Sequence, residues 1–413
     1  MAGRRSLSTL NDGTRPGEPP RRSAWLNRTI LGIGLASLFS DVGHEMATSA
    51  MPALLASVGA GSAALGLIEG LSDGLSSFAK LASGHYSDRL QRRKPLAVLG
   101  YFMTASGMAS FAFATQAWHI LLGRTFGWVG RGMRGPVRNV LLTEATTKET
   151  YGRAFGLERT MDSAGAILGP LAALGLGLVF SARHVFLFTL IPGLCAAACI
   201  ALLVREKPHV PAPRRAFIAN VRSLPKEFRK FLTGVGLAGL GDYSNALLIL
   251  WATQAWTPRL GAAHAASLAI GFYVGYNVVY TACCSVAGWL ADRYAKQLVL
   301  AVGYGLAVIP AVALVLPGDS YAKFALAFGS AGLYMGFWET VEGTAAATLL
   351  PAEVRGVGFG VLATVNGLGD VVSSILVGLL WAISPRAAMG FVIATTLAGA
   401  LVIASTRVAT PHD

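Results

Sequence analysis

Apolar residues in this chain come in long runs rather than in alternation. Runs of about 20 residues, enough to cross a bilayer as helix, recur at 29–52, 62–86, 95–115, 118–143, 152–179, 184–204, 230–254, 265–290, 297–317, 322–349, 357–383 and 387–406. These are the predicted helical spans, numbered 1 to 12, with Pro52 expected to close the first. Spans 3, 6, 9 and 12 hold no Asp, Glu, Lys or Arg in their interiors, whereas spans 1, 2, 4, 5, 7, 10 and 11 do. An ionisable group in hydrocarbon is costly and turns toward protein or a watery cavity. Every third span is therefore expected to face lipid, and the others to surround a polar pathway.

The pattern occurs twice. Gly84-His85-Tyr86-Ser87-Asp88-Arg89 returns 204 positions later as Gly288-Trp289-Leu290-Ala291-Asp292-Arg293. The same offset carries Gly152, Phe155, Gly156 and Gly165 onto Gly356, Phe359, Gly360 and Gly369. With a small slip, Gly32-Ile33-Gly34-Leu35-Ala36 matches Gly234-Val235-Gly236-Leu237-Ala238, and an acid follows each, Asp41 or Asp242. This predicts an all-α membrane protein of twelve transmembrane helices in two pseudo-symmetric six-helix bundles, 25–204 and 230–406. They are joined by a basic linker, 205–229, and flanked by tails 1–24 and 407–413. Repeated bundles facing each other are the architecture of alternating access.

Composition agrees: 54% of residues are hydrophobic and 13% charged, against about 25% charged in soluble domains. The 49 glycines suit close helix packing in lipid. The net charge of +13 does not imply nucleic acid. The bases cluster in the first 24 residues, in Arg92-Arg93-Lys94, and in 205–230, which has eight Lys/Arg against Glu206 and Glu227. These are alternate loops, so they should face the cytoplasm, with both termini on that side. No small-residue cleavage site follows the first apolar run, so no signal peptide is expected, and tail 1–24 reads as disordered. Cys195, Cys199, Cys283 and Cys284 lie in apolar stretches and read as packing residues.

Residues 84–96, GHYSDRLQRRKPL, resemble the loop signature of the major facilitator superfamily, with Gln91 where the signature usually has glycine. Arg124 with Gly127 and Gly130 partly resembles its second signature. Gly156, Gly165 and Gly169-Pro170 are similar in spacing to the antiporter signature of drug:proton exporters, with Ala173-Leu174 in place of its final glycines. Such glycines allow tight helix approach, and a bend is expected at Pro170. The resemblance implies two bundles rocking around a central cavity, and spans 4 and 10 meeting at the cytoplasmic end. Arg134 and Arg138 are then expected to meet Glu339 and Glu342 when that end closes.

At about 1.5 Å per helical residue, Asp41, Asp73 and Arg131 fall near the midplane, with Glu45, Glu69 and Arg124 further out. Glu158, Asp162, Arg134 and Arg138 fall on the inner side. The first half balances six acids (Asp41, Glu45, Glu69, Asp73, Glu158, Asp162) against six bases (Lys80, Arg124, Arg131, Arg134, Arg138, Arg159). The spans of the second half hold Asp242, Glu339, Glu342 and Asp370 without Lys or Arg partners, so these acids could bind protons or a cation. Tyr273 and Asn277 align with Glu69 and Asp73 and are candidate cavity lining. Asp88 is expected at the start of span 11, where a helix N-terminus favours an anion, with Arg89 paired to Glu144. Asp292 and Arg293 should do the mirrored job near Glu353.

The leading functional expectation is proton-coupled export of a small polar or charged organic compound, with Asp41 as first proton site. A divalent metal or metal-chelate exporter using Asp41, His44, Glu45 and Asp242 is the alternative, and proton-driven uptake a third. No nucleophile–base pair or phosphate loop suggests an enzyme. No cofactor is expected. The expected partners are substrate, protons and the lipid bilayer, and the expected state is a monomer in a bacterial cytoplasmic membrane.

Overall fold

The computed structural model describes residues 25–59, 62–206, 208, 221–243 and 245–407. The tails 1–24 and 408–413 and most of the linker lie outside the described residues. Helices stand at all twelve predicted spans: Arg28–Ser57, Ser62–Ser87, Lys94–Ala109, Ala117–Glu144, Tyr151–Gly177, Ala182–Phe188 with Leu190–Leu203, Lys226–Gly239 with Asn245–Leu260, Ala262–Arg293, Lys296–Leu306 with Val308–Val315, Tyr321–Leu349, Arg355–Ile383 and Pro385–Ala404. Among the described residues, six helical stretches are long and apolar enough to cross a membrane, and spans 3, 6, 9 and 12 are all among them. These four expose large apolar side chains such as Phe102, Leu202, Val302 and Leu401, the surface that hydrocarbon requires. The chain is an integral membrane protein.

Two expectations about the helices change. Span 1 runs through Pro52 to Ser57 instead of ending at the proline. Span 7 is not continuous: its helix stops at Gly239 and resumes at Asn245, leaving Asp242 in non-helical backbone. Gly239 and Gly241 lower the helical preference there by about 1 kcal/mol each. A Cβ on Gly241 would also lie 2.5 Å from the Thr396 hydroxyl of span 12.

Each half packs the same way. Span 1 packs on 5 and 6, span 4 on 2 and 3, and span 3 on 6. Six spans later, span 7 packs on 11 and 12, span 10 on 8 and 9, and span 9 on 12. Across the halves span 2 meets 11, 5 meets 8, 4 meets 11 and 5 meets 10. Exchanging the two copies maps these contacts onto one another, so the interface is two-fold in character.

Glycines set how close the halves come. Gly84 faces Gly356 and Gly360 across spans 2 and 11, and Gly152 and Gly156 face Gly288 across spans 5 and 8. A Cβ on Gly156 would lie 2.7 Å from the Cys284 carbonyl, and one on Gly360 2.9 Å from the Lys80 carbonyl. At the opposite ends of the same four helices, Gly70, Gly74, Gly175, Gly177, Gly271, Gly275 and Gly378 have open space beside them. The halves therefore touch at the end that carries the basic loops and part toward the other.

A side chain at these crossings should hold the halves apart. Cys284 is fully buried there. Gly152→Val or Gly288→Val is expected to speed maleimide alkylation of Cys284, followed by mass spectrometry of the purified protein. An unchanged rate would show that the crossing tolerates a side chain.

Candidate functional site

The closed end is fastened by two carboxylates, each seated on the first N–H groups of a helix in the other half. Asp88, just after span 2, accepts from Gly356 N at 2.9 Å and Val357 N at 2.8 Å, at the start of span 11. Asp292, at the end of span 8, accepts from Gly152 N at 2.6 Å and Arg153 N at 3.0 Å, at the start of span 5. The two seats are the same contact seen from either copy. Both use the unpaired donors and positive dipole of a helix N-terminus. Burial pushes the Asp88 carboxyl up to about 6, against the opposing pull of the Val357 and Gly356 N–H groups and Arg93.

The cations behind these carboxylates are not the expected ones. Fully buried Arg93, not Arg89, bridges Asp88 and Glu144, and its Nε donates to Ser87 O. Glu206 in turn accepts from the backbone N–H groups of Arg93 and Lys94. On the mirrored side, where Arg293 near Glu353 was expected, Arg153 donates to Asp292 at 2.9 Å. Arg293 lies over the Trp289 ring at 4.0 Å.

Deeper in the first half, Arg138 binds Glu158 at 2.7 Å and lies 3.7 Å from Asp162. Ser37 of span 1 bonds both Glu158 and Arg138. Arg134 stacks on Tyr101 at 4.1 Å. Neither arginine meets Glu339 or Glu342, although the halves are together at this end. Arg138 and Glu342 are equivalent positions of the two copies, and each turns to its own bundle. Arg138 meets Asp162, and Glu342 meets Asn366, the equivalent of Asp162. The pair that crosses is Arg159 with Glu339, at 2.8 Å.

Nearer the middle, span 1 presents Asp41, His44 and Glu45 to span 4. Arg131 reaches Asp41 at 3.5 Å and His44 Nδ1 at 2.9 Å, and Glu45 lies 3.1 Å from the same nitrogen. One nitrogen cannot accept from Arg131 and donate to Glu45 together. Trp128 organises the group: its ring lies 4.7 Å from His44, Arg124 stacks on it at 3.9 Å, and its N–H donates to Asp73 of span 2. Gly165 and Gly169 seat span 5 against this part of span 1; a Cβ on either would lie within 2.9 Å of the Asp41 or Glu45 side chain. The Glu69 side chain lies outside the described residues.

Across the pathway, Asp242 stands at the break in span 7, bonded by Tyr334 and acted on by the charges of Asp370, Glu339 and Glu342. Lys80 of span 2 is acted on by Asp370, Asp73 and Glu339. Tyr273 stacks on Tyr276 at 5.3 Å, and the Asn277 amide donates back to Tyr273 O. Among the described residues no three His, Cys, Asp or Glu groups converge as metal ligands. Arg131 lies 3.5 Å from Asp41 and 2.9 Å from His44 Nδ1, two of the groups named for the metal alternative.

Sequence reasoning missed Trp128, Arg93, Arg153 and the cross-half role of Arg159. Trp128 carried a signal, since Arg124, Trp128 and Arg131 share one helical face. Arg93 was hidden in a basic run that reads as a topology signal.

A family model described as Major Facilitator Superfamily matches residues 33–374. An uncharacterised MFS-type transporter of Methanocaldococcus jannaschii is 28% identical over 376 residues, covering 90% of this chain and 93% of that one. The multidrug resistance protein MdtH of Photorhabdus laumondii is 35% identical over 108 residues, 25% of this chain and 27% of its own. The fold is similar to the E. coli fucose:proton symporter FucP, with a TM-score of 0.71 at 16% identity, covering 93% of this chain and 100% of that one.

The Arg159–Glu339 pair is partly exposed, so it falls between the roughly 0–1 kcal/mol of surface pairs and the roughly 3–5 kcal/mol lost on breaking a buried one. Glu339→Arg alone should loosen the closed end and raise Cys284 alkylation. Adding Arg159→Glu should restore part of the protection, while Arg138→Glu with Glu342→Arg should restore none. Equal behaviour of the two exchanges would refute the assignment.

Proposed function

The chain belongs to the major facilitator superfamily of secondary transporters, and on that premise we propose that it exports a small polar or charged organic compound in exchange for protons. The observation that carries this reading is the Asp41–Arg131–His44 cluster, with Asp41 and His44 buried on span 1. A buried carboxylate held by an arginine can trade that partner for a proton, and the freed guanidinium can then take up a substrate anion.

The positive-inside rule supports a reading with the basic loops, both termini and the closed end on the cytoplasmic side of a bacterial inner membrane. The state described is then open to the outside. An outside proton reaches Asp41 and releases Arg131. The latches at Asp88 and Asp292 part, the halves rock, and substrate entering from the cytoplasm displaces the proton. Zwitterions, organic anions and organic cations all suit the mixed charges here, and the working unit is a monomer. Export is supported by Gly165 and Gly169, which fit span 5 to the Asp41 face of span 1, and by the similarity to MdtH over 108 residues. The fold is also that of a fucose:proton symporter, so direction rests on these local features and not on the fold.

Purified protein in proteoliposomes under an imposed pH gradient should be challenged with organic cations, anions and zwitterions. The expected result is ligand-triggered dissipation of the gradient that is lost in Asp41→Asn. Radiolabelled ligand moving while the gradient stands would refute proton exchange.

A further inference from the structure

A cavity of about 680 Å³ lies at the base of the first half, at the end that carries the basic loops. Its walls are Arg28 and its neighbours at the start of span 1, Glu144 at the end of span 4, and Arg205 and Glu206 just after span 6. None of these belongs to the second half, so the cavity lies apart from the pathway between the halves. Its volume falls within the roughly 300–1,000 Å³ of small-molecule sites.

Two acids and two arginines line it, and the acids are already engaged. Glu144 is held by the Arg93 guanidinium. Glu206 accepts from the backbone N–H groups of Arg93 and Lys94. The start of span 1 is engaged too, since Asn27 Oδ1 accepts from Thr29 N at 3.0 Å and Ile30 N at 3.1 Å. The arginines are engaged far less. Arg28 gives one N–H to Leu202 O at 3.0 Å. Arg205 is anchored by its backbone, whose N–H donates to the Thr29 hydroxyl at 3.0 Å. Both arginine side chains are exposed, and neither is ion-paired among the described residues. The charge left for a ligand is therefore positive.

A guanidinium offers five N–H donors and no acceptor, so a pair of them selects an oxyanion. Two positive charges match a dianion better than a carboxylate. A phosphate monoester carries a charge of about −1.5 to −2 at pH 7 and three acceptor oxygens, and arginine binds phosphate through two parallel N–H bonds. The cavity is larger than bare phosphate needs, and Leu141, Ala145 and Pro208 give it apolar wall for an organic part.

We propose that this cavity binds a phosphate-bearing ligand on Arg28 and Arg205, and that filling it tightens the Asp88 latch. The link is electrostatic. Glu144 and Glu206 hold Arg93, and Arg93 holds Asp88. Without an anion, Arg28 and Arg205 attract the two glutamates. A bound phosphate cancels that attraction and repels both carboxylates, which leaves Arg93 as their partner. The same chemistry reaches the cavity as a soluble monoester or as the headgroup of an anionic lipid. The site is independent of the direction and the coupling of transport.

Phenyl phosphate should be titrated calorimetrically into the purified full-length protein in neutral detergent. Saturable binding is expected. Arg28→Gln and Arg205→Gln should each weaken it about tenfold, the loss of one charge-assisted contact. Arg222→Gln, at an exposed position outside the cavity, should bind as the wild type does. Binding that survives both cavity substitutions, or that weakens equally in Arg222→Gln, overturns the site. Filling the cavity should also slow maleimide alkylation of Cys284, and Glu144→Gln should bind yet lose most of that slowing. Binding without slowing, or slowing unchanged in Glu144→Gln, overturns the link to the latch. The alkylation should be repeated in nanodiscs of phosphatidylcholine with and without phosphatidic acid. Protection by phosphatidic acid that is lost in Arg28→Gln, with no binding of phenyl phosphate, assigns the site to a lipid headgroup. Binding of phenyl phosphate assigns it to a soluble monoester. Neither effect overturns the proposal. All three substituted arginines are exposed, so these variants keep the fold.

Discussion

Two carboxylates seated on helix N-termini hold the closed end together, and much of the neighbouring structure follows from that requirement. A carboxylate accepts two adjacent backbone N–H groups only if the partner helix starts within about 3 Å of it. Asp88 and Asp292 reach that distance because glycine stands at each crossing, Gly84 on Gly356 and Gly288 on Gly152. The short loops after spans 2 and 8 aim the acids, and Arg93 and Arg153 hold them. The repeated glycine, acid and helix start therefore form a single device present twice.

Between these latches the halves differ in chemistry. The first half sets Glu158 and Asp162 between Arg138 and Arg159, and Arg159 also reaches Glu339 of the second half. The second half has acids near one another and satisfies Glu342 with a tryptophan, a tyrosine and an amide. Neutral donors stabilise a carboxylate without fixing its charge as an arginine would. These arginines thus sit in one half, and the acids without an arginine of their own half in the other.

The spans, the duplication and the acidic second half were legible because each is a property of local sequence or of its repetition. Tertiary partners were not. Arg138 and Glu342 have opposite charges at equivalent positions, which suggests a pair, yet each of these two faces its own bundle. The same offset held the better clue, since it maps Asp162 onto Asn366 and so predicts one Arg138–Asp162 type of contact in each half. Arg93 lay in a basic run whose composition reads as topology. The break at Asp242 was masked because the flanking residues remain apolar, and hydropathy does not register a missing backbone hydrogen bond.

The crosswise geometry bears on how such a chain could have arisen. Gly84 and Asp88 of the first copy meet the second copy's equivalents of Gly152 and Arg153, and the reverse contact uses the same surfaces. A single copy already carries both sides of the joint. Two identical six-helix ancestors would close on each other through it twice, as a symmetric dimer, before any linker existed. Fusion would add only the connection, and would free each half to diverge, the first toward buried arginines and the second toward acids held by neutral donors.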